Sequence, residues 1–264
     1  MASNLETIGL GVNDRPAFEK LVTSLAEAAQ EGLSTPVGDY QVWRSRSGAE
    51  VWLHIAPPVQ DGDNTMREIM GLTPFFNGNS EIALNITERI KRPEDNAFEG
   101  AYQAWVGTSE AAAAEGGDFP VVFDAVDFAA FTSQTLPATC RARISGFSRE
   151  LKAFPDEAAF SAAQSPNGLD FSAQSFFPVG LMADAANENK TEKTAPSSNA
   201  LINGIVKSHR ELVNELTNQT FHWLEVESIT ATFDVLAASN VIKGEIKEGG
   251  VVQASCWLFG RILK

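Results

Sequence analysis

The chain of 264 residues is 44% hydrophobic and 20% charged, a composition that argues against wholesale disorder. No apolar run approaches the roughly 20 residues that span a bilayer, and the N-terminus lacks the pattern of a signal peptide, so we predict a cytoplasmic protein without a membrane partner. The formal net charge is −14, of which residues 1–199 carry −13, and this acidity argues against nucleic acid as a partner.

The first predicted elements are a short strand and a helix. Ile8, Leu10 and Val12 alternate with small residues, which is typical of a strand. Asp14 can cap a helix that follows it, and Gly32 suits the end of that helix.

Two strands, 39–46 and 49–56, are predicted to form a hairpin around a Ser-Gly turn. Residues 57–78 are rich in Pro, Asp, Gly and Asn, which indicates a connection with one helical turn near residues 66–70. Further strands are expected at 81–90, 100–107, 119–127 and 138–147, followed by a helix at 156–164.

Residues 183–199 contain almost no large apolar side chain, which predicts a linker between an acidic α+β domain, 1–182, and a second domain, 200–264. The second domain has strand patterns at 200–208, 221–227, 229–237 and 251–263 and a crossing segment between the last two. The fold class that we predict is α+β, mostly antiparallel, ending in an OB-like small β-barrel. The alternative is a sheet that packs on the first domain.

The order of strand, helix and hairpin in residues 5–56 resembles the βαβββ unit of the glyoxalase, or vicinal-oxygen-chelate, superfamily. Members of that superfamily hold a metal with His, Glu or Gln side chains on facing strands. The resemblance implies Glu6 on the first strand and either Glu50 or His54 on the hairpin as the matching positions. The first strand carries no His and no second unit with a spaced His and Glu is visible, so we predict neither a metal nor another cofactor.

A second resemblance covers most of the C-terminal third. The segments FSAQSFFPVGL, TFHWLEVESITATFDVL and GGVVQASCWLFGRIL are similar to a family of bacterial proteins of unknown function. This resemblance implies no activity.

The hairpin carries the candidate ligand-binding residues. Aliphatic side chains in strand 49–56 alternate with Trp52 and His54, and Trp43 can lie across from them. If the aliphatic face packs on the helix, then Trp43, Trp52 and His54 form the floor of a pocket. The alternative is a sheet covered on both faces, in which these residues are simply buried.

The C-terminal strands carry a candidate interface. Trp257, Phe259 and Arg261 alternate with an apolar set that should face inward, and Phe221 and Trp223 show the same phase. An outer face with four aromatics is typical of a contact surface, which could cover the N-terminal domain, a second copy in a homo-oligomer or a partner protein.

These observations favour a non-enzymatic binding or interaction module whose partner is a protein or a small molecule. Two alternatives belong to other classes: a metal-dependent enzyme of the vicinal-oxygen-chelate kind, and an acidic protein that mimics nucleic acid.

We predict no measurable binding to duplex or single-stranded DNA at physiological salt, because the first 199 residues carry −13 and the remainder −1. Fluorescence anisotropy with labelled oligonucleotides measures this. Retention of the protein on a DNA column at moderate salt would contradict the prediction.

Overall fold

The computed structural model describes residues 4–61, 64–107, 116–164, 170–185 and 195–263. Within these ranges the chain is mostly antiparallel β-structure with few helices, which confirms the prediction at that level. No helix in the described ranges is long and apolar enough to cross a membrane.

The predicted first strand is absent from the described N-terminus. Glu6–Ile8 forms a 3-10 turn instead, because Gly9 takes a left-handed backbone (φ 73°) that a strand cannot accommodate. Ile8 and Leu10 are fully buried, which explains their apolar character. The side-chain amide of Asn214 donates a hydrogen bond of 2.8 Å to the carbonyl of Ile8, in place of a neighbouring strand.

The predicted helix is confirmed as α1 (Arg15–Ala28). Its N-cap is Asp14, whose Oδ1 accepts a hydrogen bond of 2.8 Å from the amide of Ala17. The helix ends before Gly32, which lies inside the first strand, β1 (Gln30–Thr35). The glycine therefore allows β1 to pack closely against the next strand, because an added Cβ would lie 2.8 Å from the carbonyl oxygen of Tyr40.

The predicted hairpin consists of β2 (Gly38–Arg44) and β3 (Ala49–Ile55). Together with β1 and β6 (Ile69–Phe76) it forms a four-stranded antiparallel sheet in the order β1-β2-β3-β6. Residues 57–78 are thus not a connection with a helical turn. They form β6 and a small hairpin, β4 (Val59–Asp61) with β5 (Asn64–Met66), because pairing with β3 satisfies the backbone of β6.

The other strands belong to one ten-stranded sheet. They are β7 (Glu81–Ile90), β8 (Ala101–Val106), β9 (Phe119–Ala125), β10 (Ala138–Phe154), β11 (Ser175–Phe177), β12 (Asn199–Val213), β13 (Thr220–Ser228), β14 (Ala231–Ala237), β15 (Ile242–Lys243) and β16 (Val251–Leu263). Two short helices flank it, α2 (Glu157–Ala162) and α3 (Val179–Ala185).

The hydrogen-bonding of this sheet closes into two five-stranded rings that share β10 and β16. One ring runs β7-β8-β9-β16-β10 and returns to β7. The other runs β12-β13-β14-β10-β16 and returns to β12. A strand of 17 residues such as β10 extends over roughly 55 Å, so each ring uses a different part of it.

The second ring differs from the barrel predicted over residues 200–264. Four of its strands come from that range, but the fifth, β10, precedes the segment 183–199. Residues 186–194 of the predicted linker lie outside the described residues. The two predicted domains therefore contribute strands to one sheet.

Two hydrophobic cores form on opposite faces of the shared strands. The first core fills both rings and includes Cys256 and Leu258. The second lies between the outside of the rings and the N-terminal sheet with α1, and it includes Phe221, Trp223 and Phe259. The inward and outward sets predicted for the last strand are therefore both present, and the outward set is covered by the N-terminal part of the same chain.

We predict that Phe259→Ala lowers the free energy of unfolding by about 3–5 kcal/mol, because Phe259 is 4% exposed and packs edge-to-face on Phe147 with ring centroids 4.9 Å apart. Phe18→Ala is the matched control: Phe18 lies on α1, is 38% exposed, and should change stability little. Urea unfolding measures both. If Phe259→Ala lowered the free energy of unfolding as little as Phe18→Ala does, the second core would not be a stabilising contact.

Candidate functional site

A cavity of about 360 Å³ lies beside the second core, where the N-terminal sheet meets the outside of the two rings. It is named the interlayer cavity below. Its neutral lining includes Leu72, Thr73, Pro74, Gly100, Trp257 and Phe259. Its charged lining consists of Arg92, Glu94, Asp95, Glu99, Asp124 and Arg149. The volume is within the range that small-molecule sites occupy.

Arg149 reaches this cavity from a β-bulge. In the ladder between β10 and β16, Ser148 pairs with Cys256 and Glu150 pairs with Ser255, so Arg149 is the extra residue. A bulge re-aims the side chain of the residue that it leaves unpaired. The guanidinium of Arg149 lies over the ring of Trp257, 4.9 Å from its centroid. Because of the bulge, the positively charged side chain of this strand residue lines the cavity.

Apart from this contact with Trp257, the guanidinium of Arg149 makes few interactions with the described residues. Its one hydrogen bond there is a long contact of 3.5 Å from Nη1 to Asn199 Oδ1. It makes no ion pair with any described carboxylate, in contrast to Arg92. Arg149 thus retains donors that can bind a molecule in the cavity.

Asp124 also lines the cavity and contacts Trp257. Its Oδ2 accepts a hydrogen bond of 2.7 Å from the indole of Trp257, and its Oδ1 accepts from Ser198 at 2.6 Å and from Arg92 Nη1 at 2.9 Å. Burial raises the pKa of Asp124, and Arg92 opposes that rise. Both oxygens of Asp124 are therefore used within the protein, and the Trp257 ring is fixed from its edge.

The floor of the cavity contains a hydrogen-bonded chain with a defined direction. The amide of Phe98 donates to Asn96 Oδ1 at 2.9 Å, so Asn96 Nδ2 faces His54 Nδ1 at 3.3 Å. His54 Nδ1 is then the acceptor, and the proton resides on Nε2, which lies 3.2 Å from Thr73 Oγ1. Thr73 accepts this bond, and its own hydroxyl proton is free to point into the cavity.

Burial keeps His54 neutral. Its pKa is lowered to about 4, first by burial and second by the positive charge of Lys91. The contact of 3.7 Å between His54 Nδ1 and Glu99 Oε1 is therefore not an ion pair at neutral pH. Burial also raises the pKa of Glu99, whose other oxygen accepts a hydrogen bond of 3.1 Å from the amide of Asn96.

The three residues predicted to form a pocket floor are all buried. Trp43 is 5% exposed, and Trp52 and His54 are 1% exposed. The two tryptophans belong to the second core. His54 does not line the interlayer cavity itself but contacts two residues that do, Thr73 and Glu99. The N-terminal sheet is thus covered on both faces, which is the alternative that the sequence left open.

The five residues predicted as an interface take three different positions. Phe221, Trp223 and Phe259 are buried in the second core. Trp257 is half-buried at the cavity, and Arg261 lies over the ring of Trp52 at 5.3 Å. The surface that covers this face is the chain's own N-terminal sheet.

The positions implied as metal ligands do not meet. Glu50 accepts a hydrogen bond of 2.9 Å from the Trp52 indole, Glu6 accepts one of 2.7 Å from Asn240, and His54 bonds Thr73. Within the described parts of the chain no three His, Cys, Asp or Glu side chains are placed to hold a metal ion.

Sequence reasoning missed Arg149, Thr73 and Asp124. Arg149 and Asp124 lie beside or in a predicted strand, Thr73 lies in the segment predicted as a connection, and no local motif marks any of the three. Only the register between β10 and β16 reveals that Arg149 is bulged, and that register joins residues more than 100 positions apart.

Comparisons with known proteins found no match, whether by family models, against curated proteins or against solved structures.

We predict that His54 makes stability depend on pH. Its folded pKa of about 4 lies below the ordinary 6.5, so the unfolded state binds a proton first as the pH falls from 6.5 towards 4. Between pH 7 and pH 5 the wild type should lose about 2 kcal/mol more than His54→Gln. Urea unfolding at both pH values measures the difference. Parallel losses would show that His54 is protonated in the folded protein.

Proposed function

We propose that this chain is a non-enzymatic binding module that holds a small molecule in the interlayer cavity. The observation that carries the proposal is Arg149, which a bulge directs into the cavity without a carboxylate partner among the described residues. Without such a partner, the guanidinium keeps hydrogen-bond donors that a ligand can use.

The cavity has the features of a preorganised site. Trp257 is fixed by Asp124 at its edge and by Arg149 on its face. Asp124 is in turn fixed by Arg92 and Ser198. A site that is held in place before binding loses less entropy when the ligand arrives.

The choice of a small molecule over a protein partner follows from the second core. The aromatic surface that suggested a protein contact packs on the chain's own N-terminal sheet. The interlayer cavity is concave and combines apolar side chains with a few polar groups, as small-molecule sites do.

A cavity-filling variant tests this proposal. Leu72→Trp should abolish the binding of those small molecules that the wild type selects from a chemically diverse fragment library, because Leu72 lines the cavity. Leu33→Trp is the matched control, since Leu33 is also a half-buried leucine on an edge strand of the same sheet but lines a different cavity. Saturation-transfer NMR detects the binding, and thermal melting checks that both variants fold.

The proposal fails if the wild type selects no fragment, or if the selected fragments bind Leu72→Trp as well as they bind Leu33→Trp. Binding that Leu33→Trp alone abolishes would instead place the site between β1 and β2.

A further inference from the structure

We infer that the ligand of the interlayer cavity is a carboxylate-bearing small molecule with an apolar body, an inference that rests on the proposed function. Two donors, the guanidinium of Arg149 and the hydroxyl of Thr73, face the cavity and suit carboxylate oxygens.

Of the other five charged groups of the lining, four are engaged or weakened, and the fifth, Glu94, is exposed to solvent. Arg92 and Asp124 form an ion pair of 2.9 Å. Asp95 accepts a hydrogen bond of 2.7 Å from the backbone amide of Arg92. Glu99 accepts from Asn96, and burial raises its pKa, which disfavours its charged form. Arg149 is therefore the cationic group of the lining that a ligand can neutralise.

Thr73 adds a directional donor. Its hydroxyl oxygen is occupied by the proton of His54 Nε2, because Asn96 fixes the opposite nitrogen of that ring as an acceptor. A hydroxyl that accepts a hydrogen bond from the protein still has its own proton to donate, and that proton can rotate towards a partner in the cavity. An oxygen acceptor on the ligand would satisfy this donor, whereas an ammonium group would not.

The apolar lining accounts for the body of the ligand. Leu72, Pro74 and Phe259 line the cavity without a polar side chain. A flat or aliphatic group of the ligand that packs against these side chains is removed from water, which is favourable. The combination of one anionic end and one apolar body is the chemistry of an aromatic or aliphatic carboxylic acid.

Three probes of nearly equal size show whether the cavity prefers an anionic, a neutral or a cationic ligand: benzoate, benzamide and benzylamine. We expect benzoate to bind the wild type at least about tenfold more tightly than either of the others, because a hydrogen bond to a charged group is worth more than a neutral one. Isothermal titration calorimetry at neutral pH, with the full chain, measures the three affinities.

Variants assign the effect to the two donors. Arg149→Gln should remove the preference for benzoate, and Arg149→Lys should keep part of it because the charge remains. Thr73→Val should weaken benzoate binding several-fold, and Thr73→Ser should restore it. Arg261→Gln is the matched control, since Arg261 also lies over a tryptophan ring but does not line the cavity. Melting curves without ligand confirm that each variant is folded.

Equal affinity for benzoate and benzamide, tighter binding of benzylamine, or an unchanged preference in Arg149→Gln would overturn the inference. So would a failure of all three probes to bind at millimolar concentration. In each of these cases the proposed function survives if the fragment screen finds neutral or cationic molecules that Leu72→Trp excludes.

Discussion

The structure depends on the sharing of β10 and β16 between two closed rings. Each of these strands pairs with different partners along its length, so the two rings cannot form independently of one another. At the junction, Gly260 makes room for Phe123, because an added Cβ would lie 2.2 Å from that ring. The rings bury one continuous core. The shared strands also have an aromatic outer face, and leaving it exposed to water would be unfavourable.

The need to cover that face explains the second layer. The N-terminal sheet and α1 pack on it through a core that includes Trp52, Phe147 and Phe221. At the edge of this contact the two layers do not close completely, and the interlayer cavity remains. The cavity is thus bounded by elements whose position is required by burial, while Arg149 and Thr73 are free to contact a ligand.

The electrostatics of the cavity are local and differ from those of the chain. The protein carries a net charge of −14, yet the guanidinium of Arg149 at the cavity forms no ion pair with a described carboxylate. Exposed charges more than a Debye length of about 8–10 Å away are largely screened, whereas half-buried groups act on a ligand directly. An anion can therefore bind an acidic protein where the nearby carboxylates are already engaged, as Asp124 is by Arg92.

Local patterns determined much of this protein: the capped helix after Asp14, the central hairpin, and the opposite faces of Leu258 and Phe259 all follow from periodicity and capping. Pairing between distant segments decided the rest. The sharing of β10, the strand β6 and the bulge at Arg149 arise from registers that no local pattern contains. Backbone hydrogen bonds and burial are satisfied only after the whole chain has closed on itself, so tertiary structure alone placed the cavity.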